Sequence, residues 1–235
     1  MSDRLAIFFP YFGGKYMRAP KYPAPLYDTI IEPFAGAAGY SVRHYSRKVI
    51  LVDASESICG IWDFLIHASA AEVRALPLLE PGADVRDLAI PQEAKWLLGY
   101  WCAPGSATPR WRKVRTSKYE NGNWGEHVRA RLAAQVDSIR HWRIVHGDYT
   151  GCPDTEATWF VDPPYVDQGK HYRNRITDYS ALAAWCKTRP GQTMVCESLG
   201  ASWLPFEPVT TVTGATHKTT TEVLWQRHSA AVTAG

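Results

Sequence analysis

Short apolar runs that end at an acid recur along this chain. Tyr27-Asp-Thr-Ile-Ile-Glu32, Lys48-Val-Ile-Leu-Val-Asp53, Ile144-Val-His-Gly-Asp148 and Thr158-Trp-Phe-Val-Asp162 each combine β-branched or aromatic residues with a carboxylate at the far end. Runs of this length and composition predict buried strands. Thr193-Met-Val-Cys-Glu197 and Glu222-Val-Leu-Trp225 predict two more. Between them the spacing changes to threes and fours. Ile58, Ile61, Trp62 and Leu65 predict a core-facing helix, and Val128, Leu132, Val136, Ile139 and Trp142 a longer one opened by Asn123-Trp-Gly-Glu126, which resembles a capping box. Shorter helical pieces are expected over 71–79, 93–101 and 182–187, the first two set apart by Pro77, Pro81 and Pro91. Strands alternating with helices predict an α/β fold with a doubly wound sheet, in which ligands sit beyond the carboxyl ends of the strands.

The N-terminal stretch fits none of these periods. Ala6 to Lys15 is an apolar lead that breaks at Gly13-Gly14 and presents Lys15, and Pro20, Pro23 and Pro25 argue against helix until about Leu26. The run ending at Glu32 enters a loop of small residues, Pro33-Phe-Ala-Gly-Ala-Ala-Gly39. That loop lacks the first glycine of Gly-x-Gly-x-x-Gly, which weakens a nicotinamide or flavin reading. Asp53, about twenty residues beyond the loop, is placed to accept from ribose hydroxyls, and Asp53-Ala-Ser-Glu56 also fits a helix capping box.

Composition changes the picture in three places. At 235 residues the chain suits one domain with an insertion. A net charge of +3 makes any nucleic-acid affinity a matter of local clustering, and Arg110, Trp111, Arg112, Lys113, Arg115, Lys118 and Tyr119 supply one cluster, basic and aromatic by turns. Such a stretch neutralises phosphates and stacks on bases, or is a solvated basic loop. The five cysteines are odd in number and widely spaced, against a disulfide framework or a zinc site. With no signal-like or membrane-spanning run, the expectation is a reduced, cytoplasmic protein without metal or membrane association.

Chemistry concentrates at Asp162-Pro-Pro-Tyr165. Two prolines stiffen the turn, so the Asp162 carboxylate and the Pro163 carbonyl are held as acceptors beside the Tyr165 ring. A planar aromatic amine could donate both hydrogens to the acceptors and stack on the ring. An ordinary strand-to-loop exit is the other reading of the same four residues.

Taken together, the Phe12-Gly-Gly-Lys15 lead, Glu32-Pro-Phe-Ala-Gly-Ala-Ala38, Asp53, Gly147-Asp148-Tyr149 and Asp162-Pro-Pro-Tyr165 resemble the DNA adenine methyltransferase family, in its alpha motif order and its short phage-type form. The resemblance spans most of the chain. It implies a Rossmann-like S-adenosylmethionine-dependent methyltransferase sheet divided into a first core half (1–66), a small inserted target-recognition segment (67–123) and a second core half with the reacting turn (124–235). It implies S-adenosyl-L-methionine held by Tyr11, Phe12, Gly13, Gly14, Lys15, Glu32, Pro33, Phe34, Ala35, Gly36, Asp53, Asp148, Tyr149 and Asp162. Asp162, Pro163, Pro164 and Tyr165 would then be catalytic, and Arg110, Arg112, Lys113, Arg115, Lys118 and Tyr119 would bind double-stranded DNA. The expected activity is transfer of methyl to the N6 amino group of a flipped adenine, by a monomer or weak dimer in a bacterial or phage-infected cell, with a cognate restriction enzyme as a partner. Two departures stand out. The family loop often reads Phe-x-Gly-x-Gly, whereas Ala38 takes the last position here, and the middle segment is short. Methyl transfer to RNA or to a protein glutamine amide, and a binding module without catalysis, are the alternatives.

Overall fold

Among the described residues, seven strands form a single sheet: β1 (Thr29–Glu32), β2 (Lys48–Asp53), β3 (Arg143–His146), β4 (Ala157–Val161), β5 (Gly191–Ser198), β6 (Glu207–Thr213) and β7 (Thr219–His228). The computed structural model describes residues 4–80, 82–112, 123–167, 174–213 and 219–228. The order is β3-β2-β1-β4-β5-β7-β6. β1 to β5 pair in parallel, while β7 runs antiparallel between β5 and β6. The fold is therefore α/β with a mostly parallel mixed sheet.

The continuous apolar runs have their cause in this arrangement, because a parallel strand covered on both faces has no solvent side to leave polar. Ile30, Phe160, Met194 and Cys196 face one core, and Ile31, Trp159, Val161 and Val195 the other. The larger core is closed by α2 (Glu56–His67), α3 (Ala70–Ala75), α4 (Gln92–Cys102) and α5 (Glu126–Gln135), with Phe8 and Phe9 of the N-terminal arm packed edge-on and tilted against Trp62. The smaller is closed by α6 (Tyr179–Thr188). A short α1 (Gly39–Arg43) follows the loop after β1. Within 67–112, α3 packs on α5 and α4 on α2, so both add side chains to the larger core.

Several local expectations change. The periodic run from Val128 to Trp142 is not one helix: α5 stops at Gln135, a 3-10 turn covers Val136–Ile139, and Trp142 already leads into β3. In the 3-10 turn, Val136 and Ile139 fall on one face at a spacing of three, so both stay buried. Neither capping box forms. Gly125 occupies the N-cap of α5 with no side chain to offer, and Glu126 pairs with Arg129 instead. Asp53 turns to the backbone N–H groups of Ser55 and Gly36, leaving Ser55 at the N-cap of α2. β6 has no counterpart among the expected strands. It is one of the two edge strands, where Pro208 is tolerated and a run rich in threonine carries no apolar signal.

Candidate active site

The chain runs outward from β1 through β2 to β3, then returns to lay β4 on the other side of β1. This is a topological switch point, where crevices open beyond the strand ends. A cleft of about 820 Å³ lies there, and its lining includes Glu32 at the end of β1, Asp53 at the end of β2 and Asp162 just after β4. Tyr11, Phe12, Gly13, Gly14, Lys15, Pro33, Phe34, Ala35, Gly36, Asp148, Tyr149 and Pro164 line it too, so residues from four separate stretches converge.

The loop after β1 and the arm at 11–16 are pressed together. Gly36 has a φ of +45°, and a Cβ there would stand 3.0 Å from the Tyr11 ring; a Cβ on Gly39 would stand 2.3 Å from the Tyr16 nitrogen. No larger residue fits either place without displacing the arm. Ala38 also adopts a left-handed conformation, at φ 47°, where an alanine is strained by about 1–2 kcal/mol. A glycine at this position would relieve that strain. Asp53 Oδ2 accepts from Gly36 N–H at 3.0 Å and Oδ1 from Ser55 N–H at 2.8 Å. Burial raises its carboxyl pKa, and these two donors oppose the rise. Glu32 accepts from Ser41 N–H at 2.8 Å in the first turn of α1, and burial pushes its pKa up to about 8. It serves the loop and helix start as much as the cleft. Asp148 accepts from the backbone and hydroxyl of Thr150, which hold its carboxyl below the ordinary range. Tyr149 packs on Phe34 with ring centroids 5.8 Å apart.

The turn after β4 is tied into an ionic cluster. Lys15, 4% exposed, donates to Gly13 O at 2.8 Å and to Asp162 Oδ2 at 2.7 Å, and its ammonium lies 4.9 Å from the centre of the Tyr165 ring. Burial works against that ammonium, but the Asp162 and Glu222 carboxylates prevail and raise its pKa above the usual lysine range. The Asp162 side chain is 20% exposed, and its Oδ1 has no hydrogen-bond partner among the described residues. Burial raises the Asp162 pKa against the pull of Lys15. Pro163 is buried, and neither it nor Tyr165 lines the cleft. The Tyr165 hydroxyl donates to Glu222 of β7 at 2.9 Å, and Tyr179 donates to the Pro164 carbonyl at 2.6 Å.

Trp96, Pro109 and Trp111 add apolar surface to the cleft lining. Arg110 and Arg112 are exposed beside it, with Arg86 in the same hollow. Arg112 is tethered through Asp84, at 3.3 Å, rather than free in solvent. Lys113, Arg115, Lys118 and Tyr119 lie outside the described residues, as do His171, Tyr172 and Arg173. Motif reading missed Trp96 and Glu222. The first belongs to a helix whose apolar positions were assigned to packing, and the second is an isolated acid within a strand.

Fold and cleft together define an α/β protein whose ligand crevice lies at the switch point of a mostly parallel sheet. No protein-family model matches the chain, and no curated protein matches it. Among the described residues, no group of three His, Cys, Asp or Glu could hold a metal ion, and no helix is long and apolar enough to cross a membrane.

Proposed function

We propose that this protein is an S-adenosylmethionine-dependent methyltransferase acting on the exocyclic amino group of adenine in duplex DNA. The observation that carries the reading is Asp162: a carboxylate just after β4, lining the cleft, with one oxygen held by Lys15 and the other enclosed and without a hydrogen-bond partner among the described residues. An unpartnered carboxylate oxygen in a confined site calls for a donor. An aromatic amine supplies one, and its lone pair becomes available only when its hydrogens are drawn out of the ring plane.

The cleft fits the cofactor the reading requires. Ala35, Gly36 and Ala37 keep the middle of the loop after β1 free of bulky side chains, Asp53 stands at the end of β2 where ribose hydroxyls would reach it, and the Phe34 and Tyr149 rings offer apolar surface beside it. When bound, S-adenosylmethionine supplies a methyl already activated by the sulfonium charge, so no metal is needed. The chain's own residues then have three tasks. Asp162, the member of the turn that lines the cleft, accepts an N–H from the target amine and pushes the nitrogen toward a pyramidal, nucleophilic form; the Pro163 carbonyl, behind the lining, could join as second acceptor only after the turn moves. Lys15 fixes the carboxylate by its other oxygen. Trp96 and Trp111, which line the cleft, offer rings on which a flipped base could stack, whereas Tyr165 lies behind the lining.

The reading is tested by incubating the protein with methyl-labelled S-adenosylmethionine and, in parallel, duplex DNA, RNA and protein, then identifying the labelled atom. Label on adenine N6 supports it; label on RNA, on a glutamine amide or on cytosine carbon 5, or no transfer, overturns it.

Two further outcomes are expected. Asp53→Ala weakens cofactor binding by ~1.5–3 kcal/mol, the range for a lost hydrogen bond to a charged group, as read by titration calorimetry. Unchanged affinity would remove Asp53 from the cofactor site. Arg110→Ala with Arg112→Ala lowers DNA affinity and flattens its salt dependence by about one unit of slope per lost phosphate contact, leaving cofactor affinity alone. A slope equal to the parent's makes this a solvated basic edge.

A further inference from the structure

Glu222 sits within β7, far in sequence from every motif named above, and is only 4% exposed. A carboxylate so enclosed is costly to keep unless its oxygens are satisfied. This one gathers four groups. Tyr22 donates to Oε1 at 2.5 Å and Tyr165 at 2.9 Å, Lys15 Nζ lies 3.8 Å from Oε1, and Oε2, without a hydrogen-bond partner among the described residues, has Arg18 Nη1 as counter-ion at 2.9 Å. Two of the four, Lys15 and Tyr165, also belong to the turn that carries Asp162. The cluster balances in charge, with Lys15 and Arg18 against Asp162 and Glu222.

We propose that Glu222 is the positioning residue of the reacting turn: it fixes Tyr165 by its hydroxyl and shares Lys15 with Asp162, so that one Asp162 oxygen stays unpartnered for the target amine. The inference rests on the methyl-transfer reading. Its geometry follows from the two Lys15 distances. The ammonium touches Asp162 Oδ2 at 2.7 Å while Glu222 Oε1 also attracts it from 3.8 Å. Without the Glu222 charge, Asp162 is the remaining counter-ion of Lys15, and the ammonium is drawn toward bridging both carboxylate oxygens. Tyr165 would lose the hydrogen bond that ties its hydroxyl to β7. Both changes bear on the turn that carries Asp162 without touching the Asp53 side of the cleft, where the cofactor ribose would sit. Glu222 therefore acts on the chemical step through Asp162 and Tyr165 and makes no contact with substrate.

The test is single-turnover methyl transfer to duplex DNA at saturating cofactor for the full chain, Glu222→Ala, Glu222→Gln, Tyr165→Phe, and Glu222→Ala with Tyr165→Phe, alongside cofactor titration. Glu222→Ala is expected to lower the rate about 10²-fold, as a misplacement near 1 Å does, with cofactor affinity close to the parent's. Glu222→Gln keeps an acceptor for the two tyrosines and loses the charge, so it falls between parent and alanine. Adding Tyr165→Phe to Glu222→Ala costs less than it does in the parent, because the hydroxyl has already lost its acceptor. A rate for Glu222→Ala equal to the parent's, equal losses in rate and cofactor affinity, or additive effects with Tyr165→Phe would overturn the inference. Should the alanine variant not fold, Glu222→Gln decides alone: a rate below the parent's with unchanged cofactor affinity supports the inference, and a parent-like rate overturns it. A parent inactive on DNA overturns the methyl-transfer reading and this inference with it, whereas an active parent with unaffected variants overturns only the inference.

Discussion

Asp162→Ala is expected to lose roughly 10²–10³-fold in kcat for methyl transfer, by analogy with removal of one preorganised group that strengthens its contact in the transition state. The loss should fall on the chemical step, because the interaction grows as the nitrogen pyramidalises, and cofactor affinity should change far less. The side chain is also the principal counter-ion of Lys15, at 2.7 Å, so the alanine variant leaves a nearly buried ammonium with only the more distant Glu222. Some stability will therefore be lost alongside activity, and the kinetic comparison has to be made on protein shown to be folded by circular dichroism. Asparagine separates the two effects. Its amide oxygen can still accept from the amine while the charge is gone, so a partial defect would assign the remainder to electrostatics. The measurement is single-turnover transfer to duplex DNA at saturating cofactor. Parent-like rates in Asp162→Ala would mean that the turn after β4 is not where the amine reacts.

Much of this site could be read from residues alone, for a reason that lies in the sheet. A parallel strand buried on both faces must be apolar throughout, so its carboxyl end is marked by the first charge, and Glu32, Asp53 and Asp162 each mark one. The switch point between β1 and β4 then brings those ends together, along with the glycine pair from the arm. What stayed hidden depends on which way a side chain turns. Tyr165 follows Asp162 by three residues, yet its hydroxyl is drawn to β7 and it does not line the cleft. Arg112 belongs to an evidently basic stretch, but an antiparallel bridge to Asp84 and the ion pair beside it anchor the start of that stretch to the protein. Glu222 had a signal that went unused. In Glu222-Val-Leu-Trp225 the neighbours are strand-like and largely buried, and an acid inside such a run needs a partner. The identity of its partners, from residues 15 to 22 and from 165, is a long-range fact that no local pattern contains.

The other large effect is expected at Lys15. Lys15→Met keeps length and volume but removes the ammonium that stands between Asp162 and Glu222. Removing one member of a buried pair leaves an uncompensated charge, typically a loss of about 3–5 kcal/mol; here the lower end applies, because Asp162 is one-fifth exposed and Arg18 stays with Glu222. The pH dependence identifies the cause. In the parent, the Lys15 pKa is raised in the folded state, so its contribution is fully present below the ordinary lysine pKa and is lost as pH rises through the raised value. In the variant, Asp162 loses the cation that opposed its burial and still faces Glu222, so its pKa rises further above the unfolded value. Such a carboxyl penalises the folded state when ionised, and the penalty is relieved as pH falls through its folded pKa. The stability difference between parent and Lys15→Met should therefore be greatest near neutrality and narrow toward both acid and alkaline pH. Urea denaturation of both proteins across that span measures it. A difference that stays constant with pH would show that Lys15 contributes through packing of its stem, and that the ion pair with Asp162 adds little to the fold.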